Sequence, residues 1–156
     1  MLENCRNAKE RWGGVSDIVD KWLKERQDLI VLYCEITSTE SESPEALVSK
    51  YQNFCQILVD YVSAGHFEVY EQLIQEAKEF DDGGLELAKK IIPQIEITTE
   101  AALRFNDQFD NVHKVDDGLA ALGNEMSKLG EVLEDRFEFE DALLEVLHNA
   151  HADQVA

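Results

Sequence analysis

Apolar residues recur at three- and four-residue intervals along nearly the whole chain, the spacing that keeps side chains on one face of an α-helix. Val15, Ile18, Val19, Trp22, Leu29, Ile30 and Tyr33 form the first such stripe and predict a helix from about Ser16 to Ile36. Ser16 would cap its start, after a break at Gly13-Gly14 that sets residues 1–14 apart as a short arm. The stretch TSTESES at 37–43 reads as a loop. Ser43-Pro44 then reopens a helix, with serine as N-cap and proline at the first helical position. Its stripe is Leu47, Tyr51, Phe54, Cys55, Leu58 and Val62, and Gly65 reads as a left-handed stop. A third helix, 66–80, turns His66, Phe67, Tyr70, Leu73, Ile74, Ala77 and Phe80 inward and ends at Asp81-Asp82-Gly83-Gly84. A fourth starts near Leu85. Pro93, which lacks a backbone donor, predicts a kink or split before the stripe resumes through Ile95, Ala102, Phe105 and Phe109.

After a turn at 115–118 comes the longest stretch, 119–148. Leu122, Met126, Leu129, Val132, Leu133, Phe137, Phe139, Leu143, Leu144, Val146 and Leu147 make its apolar face. Short connections between such helices predict an all-α antiparallel bundle, four main helices plus short accessory ones. The chain reads as one domain over 1–156, with 149–156 as a flexible tail.

Charge changes what such a bundle can be. Lys and Arg number 14 against 33 Asp and Glu, a net charge of −19. DNA binding rests on basic side chains that displace counterions from phosphates, so direct nucleic-acid binding is excluded. Anionic membranes are disfavoured for the same reason. A basic protein partner is favoured, with fast and salt-sensitive association. No run approaches the ~20 apolar residues of a membrane span, and the first residues lack an apolar signal core. Cys5, Cys34 and Cys55 are too few and too widely spaced for a disulfide framework. Cys34 and Cys55 read as small buried hydrophobes near their stripes. Both points suit a cytoplasmic protein.

Two positions break the hydrophobic pattern of the last helix. Arg136 and Glu140 are four apart and both project close to the centre of its apolar face. With Arg26 and His66, which also fall on inward stripes, they predict an interior polar cluster; a rotated helix that leaves these heads in solvent is the competing reading. Glu145-x-x-His148, and more weakly Asp110-x-x-His113, have the spacing found in di-iron bundles, although both lie near helix ends. The string Arg136-Phe-Glu-Phe-Glu140-Asp141 is similar to an element of hemerythrin-like bundles, but Arg stands where a histidine ligand would be and cannot bind metal. A metal or redox bundle is therefore the alternative, with no metal ligand set and no cofactor as the main expectation. There is no GxGxxG, P-loop, GxSxG or HExxH, so no enzyme is expected.

The remaining candidate is a surface. Asp17, Asp20 and Asp28 lie away from the core stripe of the first helix, and Asp60 lies opposite Tyr51 on the second. Val31 points outward, opposite Trp22. Carboxylates around an apolar anchor suit a basic partner.

The strings VDKWLKERQDLI, FCQILVDYVSAGHFEVYE, LAKKIIPQIE and LEDRFEFEDALLEVL resemble the regulator of sigma D (Rsd) and AlgQ family over nearly the whole chain. The opening MLENCRNAKERWGGV and the ending EVLHNAH lean towards its AlgQ branch. The resemblance implies an anti-sigma factor that binds region four of the primary, housekeeping sigma factor. That region is a basic helix-turn-helix that reads the −35 element and docks on core RNA polymerase. Occupying it would favour alternative sigma factors; AlgQ-type members are tied to alginate regulation. Asp60 matches the acidic position of the family's Val-Asp-Tyr motif and is the contact the resemblance implies.

Overall fold

The computed structural model describes residues 8–38, 43–80, 83–110 and 116–149. These form α1 (Ala8–Ser38), α2 (Pro44–Ala64), a π-helical turn (Gly65–Val69), α3 (Tyr70–Phe80), α4 (Gly84–Asp110) and α5 (Asp116–Leu147). Since α2, the π turn and α3 are continuous, there are four helical rods among the described residues. Residues 1–7 of the expected arm 1–14, 39–42 of the expected loop 37–43, the stop at Asp81-Asp82, residue 115 of the expected turn 115–118 and 150–156 of the expected tail 149–156 lie outside the described residues, whereas Thr37 and Ser38 continue α1 rather than opening the loop.

Side-chain contacts fix the topology. Trp22 stacks on Tyr61, and Tyr33 meets Phe54, so α1 and α2 run antiparallel. Phe105 meets both Tyr51 and Phe54, while Thr99 meets His66, so α4 runs antiparallel to α2. Trp12 meets His148, and Arg26 meets Asp141, which sets α5 antiparallel to α1. The rods alternate up and down, as the five-residue and shorter connections require.

One core joins them, with Trp22, Leu29, Phe54, Leu58, Tyr61, Leu73, Ile95, Met126, Leu143 and Leu147 almost wholly buried. The predicted start of α2 is in place: the Ser43 hydroxyl accepts from the Ala46 N–H at 3.2 Å, and Pro44 opens the helix.

Several expectations fail, each for a physical reason. Gly13-Gly14 does not break α1, and Ser16 lies inside the helix rather than capping it. Two interior glycines cost about 1 kcal/mol each relative to alanine. Docking of Trp12 on one side and burial of Val15 and Val19 on the other offset that cost. Gly65 is no left-handed stop: its φ and ψ are −56° and −55°, and the chain stays helical through it. Pro93 does not split α4. It sits on the exposed side, while Ile91 and Ile95 hold the helix to the core on either flank. Gly118 is helical, within α5. Four residues expected inside face solvent: Phe67 is 78 % exposed, Ile30 41 %, and Val146 and Cys34 are exposed as well. Phe67 and Val146 sit at the edges of their stripes, away from the buried centre of the face.

Candidate functional site

The interior polar cluster and the acidic face are separate places. The cluster is built on α5. Arg136 is 0 % exposed and Glu140 1 %. The Arg136 Nε donates to Glu140 Oε2 at 3.2 Å, one helical turn away. Its Nη1 donates to the hydroxyls of Thr98 and Thr99 on α4, at 3.0 and 2.7 Å, and its Nη2 to the Tyr70 hydroxyl at 2.9 Å. Tyr61 donates to Glu140 Oε1 and Tyr70 to Oε2. Arg26 reaches in from α1: its Nη2 donates to Glu140 Oε1 at 3.2 Å and its Nε to the Tyr61 hydroxyl at 3.0 Å. Its Nη1 donates to Asp141 at 2.6 Å, at the surface. The Arg26 guanidinium also lies over the Trp22 and Phe137 rings. His66 joins through Thr99, with 2.7 Å between Nε2 and the hydroxyl.

Three rods thus meet at the Glu140 carboxylate, and α4 joins them through the bonds of Thr98 and Thr99 to Arg136. Two guanidiniums balance Glu140 and Asp141, so no net charge is buried. Burial pushes the Glu140 carboxyl up, while Arg136, the two tyrosine hydroxyls and Arg26 pull it down. Burial pushes both tyrosines above the usual phenol range, and Glu140 adds to that. Burial, then the Arg136 charge, pushes His66 down, so it favours the neutral imidazole. Burial works against the Arg26 charge, but Tyr61, Asp141 and Glu140 more than offset it. The charged groups of the cluster bond one another and the neighbouring hydroxyls, which ties the helices together at this level of the bundle.

The candidate pair Glu145-x-x-His148 does not assemble. Glu145 is exposed, whereas His148 is buried against Glu76, with 2.9 Å between Nδ1 and Oε2. Trp12 stacks on the His148 ring and donates its indole N–H to the His148 carbonyl at 3.0 Å. His113 lies outside the described residues. Among the described residues, no three His, Cys, Asp or Glu side chains are grouped to hold a metal.

The outward-facing candidates lie on α1 and α2. Asp17, Asp20 and Asp60 are exposed, and Val31 is 50 % exposed. Asp28 is half-buried and pairs with Lys24 at 2.9 Å. Asp60 is held by Gln56, whose amide donates to it at 3.2 Å. Sequence reasoning missed Glu25. Burial pushes its carboxyl up, against the pull of Lys21, and the charges of Asp60, Glu68 and Asp28 add to the push. Glu25 is thus where the carboxylates of α1, α2 and the π turn meet. Its spacing of about one turn from Lys21 and from Asp28 was visible in sequence, but its nearness to Asp60 depends on how α1 and α2 pack.

The family of regulators of the RNA polymerase sigma(70) subunit, Rsd/AlgQ, matches this chain over residues 1–148. The chain belongs to the Rsd/AlgQ family. The regulator of sigma D of Salmonella paratyphi B is 36 % identical to it over 156 residues, covering 98 % of this chain and 95 % of the relative. That of Yersinia pseudotuberculosis serotype O:1b is 33 % identical over 148 residues, covering 93 % and 88 %. That of Yersinia enterocolitica serotype O:8 is 31 % identical over 148 residues, covering 93 % and 89 %. The Rsd/AlgQ bundle is thus all-helical, and no helix among its described residues is long and apolar enough to cross a membrane.

Proposed function

We propose that this Rsd/AlgQ protein is an anti-sigma regulator that binds region four of the primary sigma factor and masks its −35 and core-polymerase contacts. The observation that carries the reading is the carboxylate face shared by α1 and α2. Asp60 stands exposed on α2, within electrostatic reach of Glu25, and Asp17, Asp20 and Asp28 continue the face along α1. A basic helix-turn-helix holds its cations ready for DNA phosphates. Carboxylates compete for the same cations, and the bulk of the bundle then blocks the DNA. Val31, on the outward ridge of α1, supplies an apolar contact inside this acidic field. The mechanism is steric and electrostatic and involves no reacting group or cofactor.

Titration of purified protein with isolated sigma region four, at low and high salt, tests the reading. Binding should weaken steeply as salt rises. Asp60→Arg should weaken it by at least about tenfold and flatten the salt dependence. If region four is ignored at every salt concentration, the reading fails.

A further inference from the structure

Between α1 and α5 runs a groove of about 210 Å³, lined by Leu29, Ile30, Tyr33, Leu133, Phe137 and the backbone of Gly130. It is almost entirely apolar, and Ile30 opens onto solvent along its edge. Its floor exists because residue 130 has no side chain. A Cβ there would stand 2.1 Å from the Tyr33 hydroxyl, which donates to the Met126 carbonyl at 3.0 Å. The rim is acidic. Glu134 lines it, and Glu131 lies near enough to Tyr33 to act on its hydroxyl. The Arg26 charge is already spent on Glu140 and Asp141.

We infer that this groove takes one large apolar side chain from a basic helix of the sigma partner, as the apolar half of the interface whose acidic half surrounds Asp60. The inference rests on the anti-sigma reading. Its volume corresponds to roughly seven waters at ~30 Å³ each, room for one leucine or aromatic side chain. The carboxylate rim selects a cationic neighbourhood for that side chain. Position also fits. Ile30 lies on the α5 flank of α1, and Glu25 on the α2 flank. One partner straddling α1, a helix about 10–12 Å across, reaches both.

The test uses full-length protein with a fluorophore on Cys34, which is exposed on α1 one turn from Ile30, in a Cys5→Ser background. Isolated sigma region four and an amphipathic helical peptide of leucine and lysine are the two probes. Ile30→Asp leaves an already exposed position exposed. It should weaken region four by at least about tenfold while the salt dependence stays steep, whereas Asp60→Arg flattens the slope. Gly130→Ala, which drives Tyr33 into the groove, should act in the same direction. Binding of Ile30→Asp within twofold of the parent overturns the inference. If the parent itself ignores region four, the anti-sigma reading falls, and the peptide decides the groove. A fluorescence response that survives high salt and vanishes in Ile30→Asp supports an apolar site for a basic helix; no such response overturns it. A dimer of the parent that Ile30→Asp dissolves gives the groove to a second copy and also overturns the inference.

Discussion

Arg136 is the residue on which the interior most directly depends. Breaking a buried ion pair leaves an uncompensated charge, whereas replacing both partners by apolar groups removes that penalty. Arg136→Met should therefore lower unfolding free energy by about 3–5 kcal/mol, measured by urea titration. Adding Glu140→Met should recover part of the loss; the rest reflects the tyrosine and threonine hydroxyls left without partners. His66 contributes in a pH-dependent way. Its folded pKa is lowered, so the fold binds fewer protons than the unfolded chain as pH falls through about 6.5 and below. Stability should drop over that window, and His66→Gln should flatten the drop; denaturation at neutral and mildly acid pH compares the two. Glu25 works in the opposite sense. Its raised pKa means that the charged form is disfavoured in the fold at neutral pH. Glu25→Gln should raise the melting temperature at pH 7, and the difference should vanish once acid protonates the parent carboxyl. A carboxylate that costs stability where it stands suits a surface kept for a partner.

At the scale of elements, the π turn shows why Gly65 is glycine. Its missing side chain leaves room for the Tyr70 ring. A Cβ would lie 3.0 Å from the Tyr70 hydroxyl and 3.5 Å from Arg136 Nη2. Alanine gains about 1 kcal/mol in helix propensity over glycine, yet Gly65→Ala should destabilise because it pushes Tyr70 away from Glu140. Equilibrium unfolding gives the sign. The hydrophobic stripes made the four rods legible, because burial imposes a 3.6-residue period on the sequence. Arg136 and Glu140 were legible for the same reason, as charges at the centre of an apolar face. Tyr61, Tyr70, Thr98 and Thr99 were not, since tyrosine and threonine are unremarkable on a buried stripe until a charge is seen beside them. A single-residue widening of the helix at 65–69 leaves the period almost intact, so a glycine there looks like a stop. Exposed Phe67, a residue of that turn, could be placed only once the wider turn was known.

Across the whole molecule, charge and packing divide the work. The bundle pairs its buried charges internally and leaves its acidity outside, on α4 and α5 as well as on α1 and α2. Salt should therefore act oppositely on fold and on binding. Screening relieves self-repulsion among the surface carboxylates, so added salt should raise the melting temperature while it weakens attachment of a cationic partner. Melting curves and titrations across one salt series would show both trends, and parallel trends would contradict this division. The outward candidates on the surface were legible only as acids away from the core stripes. Which of them act together depended on the side-by-side arrangement of α1 and α2, which no local pattern encodes.

The stacking of Trp12 on His148 has a further consequence for how the protein is made. Its partners stand 136 positions apart, near the two extremes of the described chain. During synthesis the first helix leaves the ribosome long before its closing partner exists, so the Trp12 indole waits in water until the last turn of α5 arrives. Its fluorescence, isolated in a Trp22→Phe background, would serve as a clock for completion: early-arrested nascent chains should emit like free indole, and only the finished polypeptide should shift.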